Sequence, residues 1–343
     1  MNQGVSEQRV NVHELLAPPV TTDPDRRTLY PQDVYFREIA EQLDGLADRP
    51  ALERVLERTS FLMFKPEALA GRRVGRALDY AAERGFEPLG ALRVRIDPRT
   101  LREMWRYQLN AAPLSTVRAV DMVMAAADCL VVALYDTRGP QHTGLTAAVR
   151  LSNLKGSTGD LEADRGRGLL REALACTTQC LNFVHAPDEP ADLLRELAVL
   201  FAWPNRAEPL RILSTLPSPE AREAVRRETA RWYSLHPEHP LDVDSAIKAL
   251  RSAAQDDPAR AAMTSRLLLA LERRPGPESE LLRLVDWLDH TPSPLGAWDR
   301  ITLASYLVDR QASDRMPLIG PPPGERAEAR RRRAESAALT TSR

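Results

Sequence analysis

Cysteine is scarce. Cys129, Cys176 and Cys180 are the only three in 343 residues, an odd count whose spacing matches neither a disulfide scaffold nor a zinc site. Their default role is that of small buried hydrophobes in a reducing setting. Neither sign of charge is in excess. The 47 basic and 48 acidic residues leave a net charge of −1, so nothing in the total charge draws the chain to nucleic acid or to a membrane surface. No apolar run reaches the roughly 18 residues that mark a membrane span. The first residues lack the basic start and apolar stretch of a secretory leader. No repeat of fixed period is present. The expectation is a cytoplasmic protein without membrane or nucleic-acid partners.

Proline is plentiful, and its placement divides the chain. The 27 prolines concentrate at 18–19, between 204 and 240, at 275–277, at 292–294 and at 317–323. Proline lacks the amide donor and fixes its own φ, so these stretches read as boundaries. With 43% apolar and 28% charged residues, the chain can bury a sizeable core without staples. A prior of about 150 residues per domain suggests two folded units.

To about residue 30 the chain is polar and proline-punctuated, apart from a small apolar cluster at Val12, Leu15 and Leu16. It reads as a mostly disordered arm. Val34, Ile39 and Leu43, then Leu52, Val55 and Leu56, recur at helical spacing. An alternating pattern follows. Ser60-Phe-Leu-Met-Phe64 is a short strand, and residues 72–84 form a helix closed by Gly85. Leu92, Val94 and Ile96 alternate with arginines as a half-buried strand. Asp97-Pro98 caps a helix with Leu101, Met104 and Trp105, and a further helix covers 117–124. Residues 129–135 are an apolar run fit for a central strand, and 143–151 a helix. The Gly-, Asp- and Arg-rich stretch 155–168 reads as a functional loop. Residues 181–184 form a strand leading into His185, followed by an amphipathic helix over 189–201. This order suits an α+β fold of the ferredoxin-like kind.

Past Pro204 come helices separated by prolines, starting at the Ser218-Pro219-Glu220 cap and continuing over 244–253, 261–271, 278–288 and 298–307. The expected division is an arm with helices at 1–57, the α+β domain at 58–204, an all-helical C-terminal domain at 205–320 and a basic, disordered tail at 321–343. His236 and His239 lie in a proline-bounded turn with no third ligand, which reads as a polar turn. The run 330–333 is flanked by Glu325, Glu328 and Glu335 and reads as a solvated tail.

For chemistry, His185 follows an apolar strand and precedes Asp188-Glu189, with Glu196 further along the next helix. A histidine held by a carboxylate is a usable nucleophile, because the carboxylate fixes its tautomer and steadies the charged ring. Lys65, Arg150, Thr158 and Arg171 are donors that can offset charge during phosphoryl transfer.

These residues fall in motifs that resemble those of nucleoside diphosphate kinases. Phe64-Lys65-Pro66-Glu67-Ala68 stands where that family has a strand ending in Lys-Pro-Asp-Gly. Arg150 and Thr158 match an arginine heading a threonine-containing loop. Gly168-Leu169-Leu170-Arg171 matches a Gly-Thr-Ile-Arg segment. Asn182-Phe183-Val184-His185-Ala186-Pro187-Asp188 matches Asn-x-x-His with its nearby aspartate, and Glu196 falls in the frame of a conserved helical glutamate. The resemblance covers residues 59–201. It implies a nucleoside diphosphate kinase-type domain that moves the γ-phosphate of ATP, or of another nucleoside triphosphate, through a phosphohistidine on His185 to a diphosphate or a specialised acceptor. By the same implication His185, Glu196 and Lys65 are catalytic. Lys65, Trp105, Leu114, Arg150, Thr158, Arg171 and Asn182 contact nucleotide or phosphate, and Mg²⁺ bridges phosphate oxygens with Asp188 touching it through water. Trp105 replaces the family's tyrosine, Pro113 or Leu114 falls near its base-stacking aromatic, and Ala186-Pro187 replaces Gly-Ser, removing the hydroxyl that would support Glu196. The resemblance also implies a homo-oligomer, and the residues on either side of the resembling stretch suggest a specialised role in which they choose an acceptor, a protein partner or an assembly state. The alternative, from another class, is a regulatory or scaffold protein whose kinase-like domain binds nucleotide without turnover.

Overall fold

The computed structural model describes residues 12–44, 49–157, 164, 166–203, 205–255, 258–273, 276–290, 295–309, 311, 313 and 315–320. Thr158, Pro204 and the 321–343 tail with its basic run lie outside the described residues. Four strands form the sheet: β1 (Thr59–Phe64), β2 (Phe86–Val94), β3 (Cys129–Asp136) and β4 (Val184–His185), in the order β2-β3-β1-β4. Each neighbouring pair is antiparallel. It follows that β1 and β2 run parallel with β3 between them, while β3 and β4 run parallel with β1 between them. These are two interlocked split βαβ units, the ferredoxin-like arrangement. The β2–β3 link is longer than a hairpin, carrying helices Pro98–Met104, Arg106–Leu109 and Leu114–Ala125.

Every residue of β1 is buried, so the sheet is covered on both faces and its central strands are apolar throughout. Alternation splits the side chains. Leu62, Phe64, Leu130, Val132 and Leu134 face one core with Val74, Ala77 and Leu151. Phe61, Met63, Val131 and Ala133 face the other with Leu101, Leu193, Leu194 and Leu197.

Both extensions belong to these cores. Trp232, Leu250, Leu281 and Leu303 extend the first, and Arg72 clasps helix Pro219–Ser234 by donating to the Tyr233 and His236 carbonyls at 3.1 and 2.6 Å. Leu15, Leu16, Val20, Tyr30, Phe36 and Ile39 extend the second. The disordered-arm expectation therefore fails for residues 12–30, which hold helices Val12–Leu15 and Pro24–Leu29. Beside these apolar anchors the segment has polar ones, with Thr21, Asp23 and Arg26 all buried, and apolar periodicity does not register such anchors.

Other differences are local. The helix expected over 143–151 is two, Gly139–Thr143 and Ala147–Lys155, broken at Gly144 with φ 68°. Helix Ala207–Leu213 lies in a stretch expected to be a proline-rich connection. It crosses the sheet at Gly90, where a Cβ would stand 3.1 Å from Ile212.

Because Trp232 is buried in the same core as the sheet, Trp232→Ala should lower unfolding free energy by about 3–5 kcal/mol. Leu216→Ala, at a position 73% exposed, should change it by under about 0.5 kcal/mol. Urea unfolding of both variants checks this.

Candidate active site

β4 is two residues long, pairing His185 with Met63 and Val184 with Phe64. Directly before it Phe183 adopts φ 63°, a left-handed conformation that costs a non-glycine residue about 1–3 kcal/mol and persists only where surroundings impose it. Here they do. The Phe183 carbonyl accepts from the Lys65 amide at 3.0 Å, and its own amide donates to Glu67 Oε1 at 3.0 Å. Glu67 is fully buried and also holds the Lys65 ammonium at 2.7 Å. The expected strand over 181–184 is therefore cut down to its last step.

Pairing with Met63 puts His185 on that residue's face of the sheet, against helix Pro190–Leu200. From this helix Glu196 Oε2 meets His185 Nε2 at 2.8 Å, with the side chains 9% and 15% exposed. Burial pushes the Glu196 carboxyl above its ordinary pKa, with His185 opposing that rise. With Glu196 ionised, Nε2 carries the hydrogen and donates it, which leaves the lone pair on Nδ1. No described residue hydrogen-bonds Nδ1. Trp105 stands edge-on to the imidazole, with ring centres 5.5 Å apart.

Three cations are strung along the backbone around the histidine. Besides pairing with Glu67, Lys65 donates to the Cys180 carbonyl at 3.2 Å. Arg171 donates to the carbonyls of Gly156 at 2.5 Å and Val184 at 3.2 Å. Lys155 donates to the Ala186 carbonyl at 2.9 Å. Asn182 is held by the Gln179 carbonyl at 2.7 Å.

The structure thus joins His185, Glu196 and Trp105 by direct contact, and gathers Lys65, Asn182, Arg171 and Asp188 along the 179–188 stretch. It does not bring Arg150 there. Arg150 pairs with Asp136 at 2.6 Å and lies over the Phe86 ring. Asp136 ends β3, five residues beyond Val131, the partner of Met63; at about 3.3 Å per residue that is roughly 16 Å from the His185 row. Leu114 is 64% exposed at the head of its helix, where Ser115 is capped by Glu278.

Ser152 and Lys155, absent from the sequence-based set, do reach the site. Both bond Asp188 Oδ1, at 2.5 and 3.3 Å. They lie three apart on helix Ala147–Lys155 and so share a face, whereas Arg150 is turned about 200° from Ser152. Among the described residues no three His, Cys, Asp or Glu converge to hold a metal.

Burial alone would raise the Asp188 pKa, but Lys155, Ser152 and Arg26 outweigh it and bring it down to about 2 from 3.8. A depressed carboxylate stabilises the fold above its unfolded value and loses that contribution as pH falls through the folded one. Asp188→Asn should therefore cost about 2 kcal/mol at pH 7 and close to nothing at pH 2. Urea midpoints at the two pH values check this.

Neither a family model nor a curated protein matches the chain. Among solved structures, 43% of the chain is similar to the nucleoside diphosphate kinase of Aquifex aeolicus, at 22% identity over 97% of that chain, with a TM-score of 0.35. The same share is similar to an NDP kinase from Pyrobaculum aerophilum, at 19% identity over 97% of that chain and a TM-score of 0.33. It is also similar to a nucleoside diphosphate kinase family protein from Babesia bovis, at 19% identity over 90% of that chain and a TM-score of 0.33. Likeness of this order says nothing about chemistry, which rests on the site itself.

Proposed function

We propose that the chain is a phosphotransferase that carries the γ-phosphoryl group of a nucleoside triphosphate on His185 and passes it to a nucleoside diphosphate or a specialised acceptor. The observation that carries this reading is the 2.8 Å bond between His185 Nε2 and Glu196, beside an Nδ1 that no described residue engages. In the first half-reaction the Nδ1 lone pair attacks the γ-phosphorus. The N–P bond forms as the bond to the β,γ-bridging oxygen breaks, and the diphosphate leaves with that electron pair. Glu196 holds the Nε2 hydrogen throughout and offsets charge on the phosphorylated ring. An acceptor oxygen then attacks the same phosphorus and Nδ1 leaves.

Such a transfer is mostly positioning and charge compensation. Lys65, Asn182 and Arg171 keep the phosphate-binding roles that the motifs suggested, and Lys155 supplies the cation that Arg150, at the far end of the sheet, does not. Thr158 keeps its role by motif alone. Mg²⁺ enters with the triphosphate as part of the substrate. Asp188 Oδ1 takes Ser152 and Lys155, and the water-mediated contact of Asp188 with Mg²⁺ rests on the motif alone.

Incubation with γ-labelled ATP and Mg²⁺ tests the reading. Wild type should carry an acid-labile, base-stable label that added diphosphates remove, and His185→Ala should carry none. Unlabelled wild type with ATP demonstrably bound would instead favour a nucleotide-binding protein without turnover. The rate should fall on the acid side as Glu196 protonates. Since burial raises the Glu196 carboxyl, that loss should set in above the ordinary glutamate value, and Glu196→Gln should slow labelling at every pH.

A further inference from the structure

We infer that residues 20–30 form a strap that sets the His185–Glu196 geometry, with Arg26 as its positioning residue. The inference rests on the phosphohistidine reading. His185 sits on an edge strand and Glu196 on the following helix, so their separation depends on the connection over 186–189 and on the first turn of helix Pro190–Leu200. The strap grips that stretch. The Val20 carbonyl accepts from the Ala191 amide at 3.0 Å. Glu189 takes the Thr21 hydroxyl, and also the Thr22 amide and hydroxyl at 3.3 and 3.1 Å. Tyr30 donates its hydroxyl to Asp192.

Arg26 is the centre of the grip. Fully buried, it places Nε 2.9 and 3.0 Å from the two Asp192 oxygens, and its far end on Asp23 within the strap. Its Nη2 also stands 3.8 Å from Asp188, and its Nε 3.7 Å from Glu189. Asp192 in turn accepts the Glu189 amide at 3.0 Å, closing a capping box at the head of the helix. It lies one turn before Glu196, on the same helix face. Arg26 therefore ties the last residues after β4 to the helix that bears the carboxylate partner. One planar guanidinium spans both sides, which a single ammonium cannot do. No catalytic contact is needed: Arg26 acts through Asp192 and Asp188.

The test uses the full chain with Arg26→Gln or Arg26→Lys and two readouts. One is the Nε2-bound proton of His185 in ¹H–¹⁵N spectra, assigned by its loss in His185→Ala. The other is the rate of phosphohistidine formation against pH. Folding of each variant is established by its melting transition. The groups facing the site are Asp23, Asp188, Glu189, Asp192, Glu196, His185, Tyr30 and Lys155. Without Arg26 the uncompensated negative charge favours protonated Glu196, so the acid limb should move to higher pH. The Gln variant should lose the slowly exchanging Nε2 proton and label about 10- to 100-fold more slowly. The Lys variant should keep the wild-type limb but not the wild-type rate. A folded Gln variant with wild-type spectrum and pH profile overturns the inference. If the Gln variant fails to fold, a Lys variant with wild-type spectrum and rate overturns it. If wild type takes no label, the phosphotransfer reading fails separately, and the Nε2 proton still decides the strap.

Discussion

The His185–Glu196 hydrogen bond joins two elements that share no backbone pairing: the second residue of an edge strand and the middle of the helix that follows it. Its 2.8 Å length depends on the sheet, which sets the height of His185 through Met63, and on the helix, which sets the reach of Glu196. Much of the surrounding architecture fixes one or the other. The left-handed Phe183 is pinned by Lys65 and Glu67 from the end of β1, so the strain that aims β4 is balanced by the most buried strand. The helix is pinned from the opposite end of the chain, by residues 20–30.

A sheet covered on both faces explains why the two extensions are where they are. One face is completed by the N-terminal helices and the other by the C-terminal ones. An α+β core with central strands as apolar as Phe61, Leu62, Met63 and Leu130 would otherwise expose a large apolar area to water. The extensions therefore do more than decorate the domain. The same burial that stabilises the sheet brings Thr21, Thr22 and Arg26 to the head of the helix bearing Glu196.

What was legible in the sequence follows the same division. The central strands at 60–64 and 129–135 stood out because double-sided burial makes an unbroken apolar run, and the helix with Leu193, Leu194 and Leu197 stood out by its period. His185, Glu196, Lys65 and Arg171 were singled out by short motifs along the sequence, and the structure sets His185 against Glu196. The strap was not legible, because Thr21, Asp23 and Arg26 are polar residues whose burial makes sense only beside Glu189 and Asp192, more than 160 positions away. Arg150 was misplaced by helical phase. Two positions separate it from Ser152, enough to turn it to the far end of the sheet, where Asp136 and the Phe86 ring receive it. Lys155, in phase with Ser152, reaches the site instead.

Phase also bears on the electrostatics of the dyad. Asp188, Glu189 and Asp192 crowd the head of one helix, where the amide dipoles favour negative charge, with Glu196 one turn further on; on the proposed function the region also has to admit a polyanionic substrate. Each acid other than Glu196 has a cation or a hydroxyl donor close by, Arg26 being shared between Asp192 and, at 3.8 Å, Asp188. Arg26 takes Asp192, Lys155 and Ser152 take Asp188, and the Thr21 and Thr22 hydroxyls take Glu189. Glu196 is the member of the group whose charge is met by an imidazole instead of a guanidinium or an ammonium. That exception keeps its oxygen available to the Nε2 hydrogen. Were Arg26 or Lys155 within reach of Glu196, a permanent cation would compete with the Nε2 hydrogen for the carboxylate, and the ring tautomer that the proposed function requires would be held less firmly.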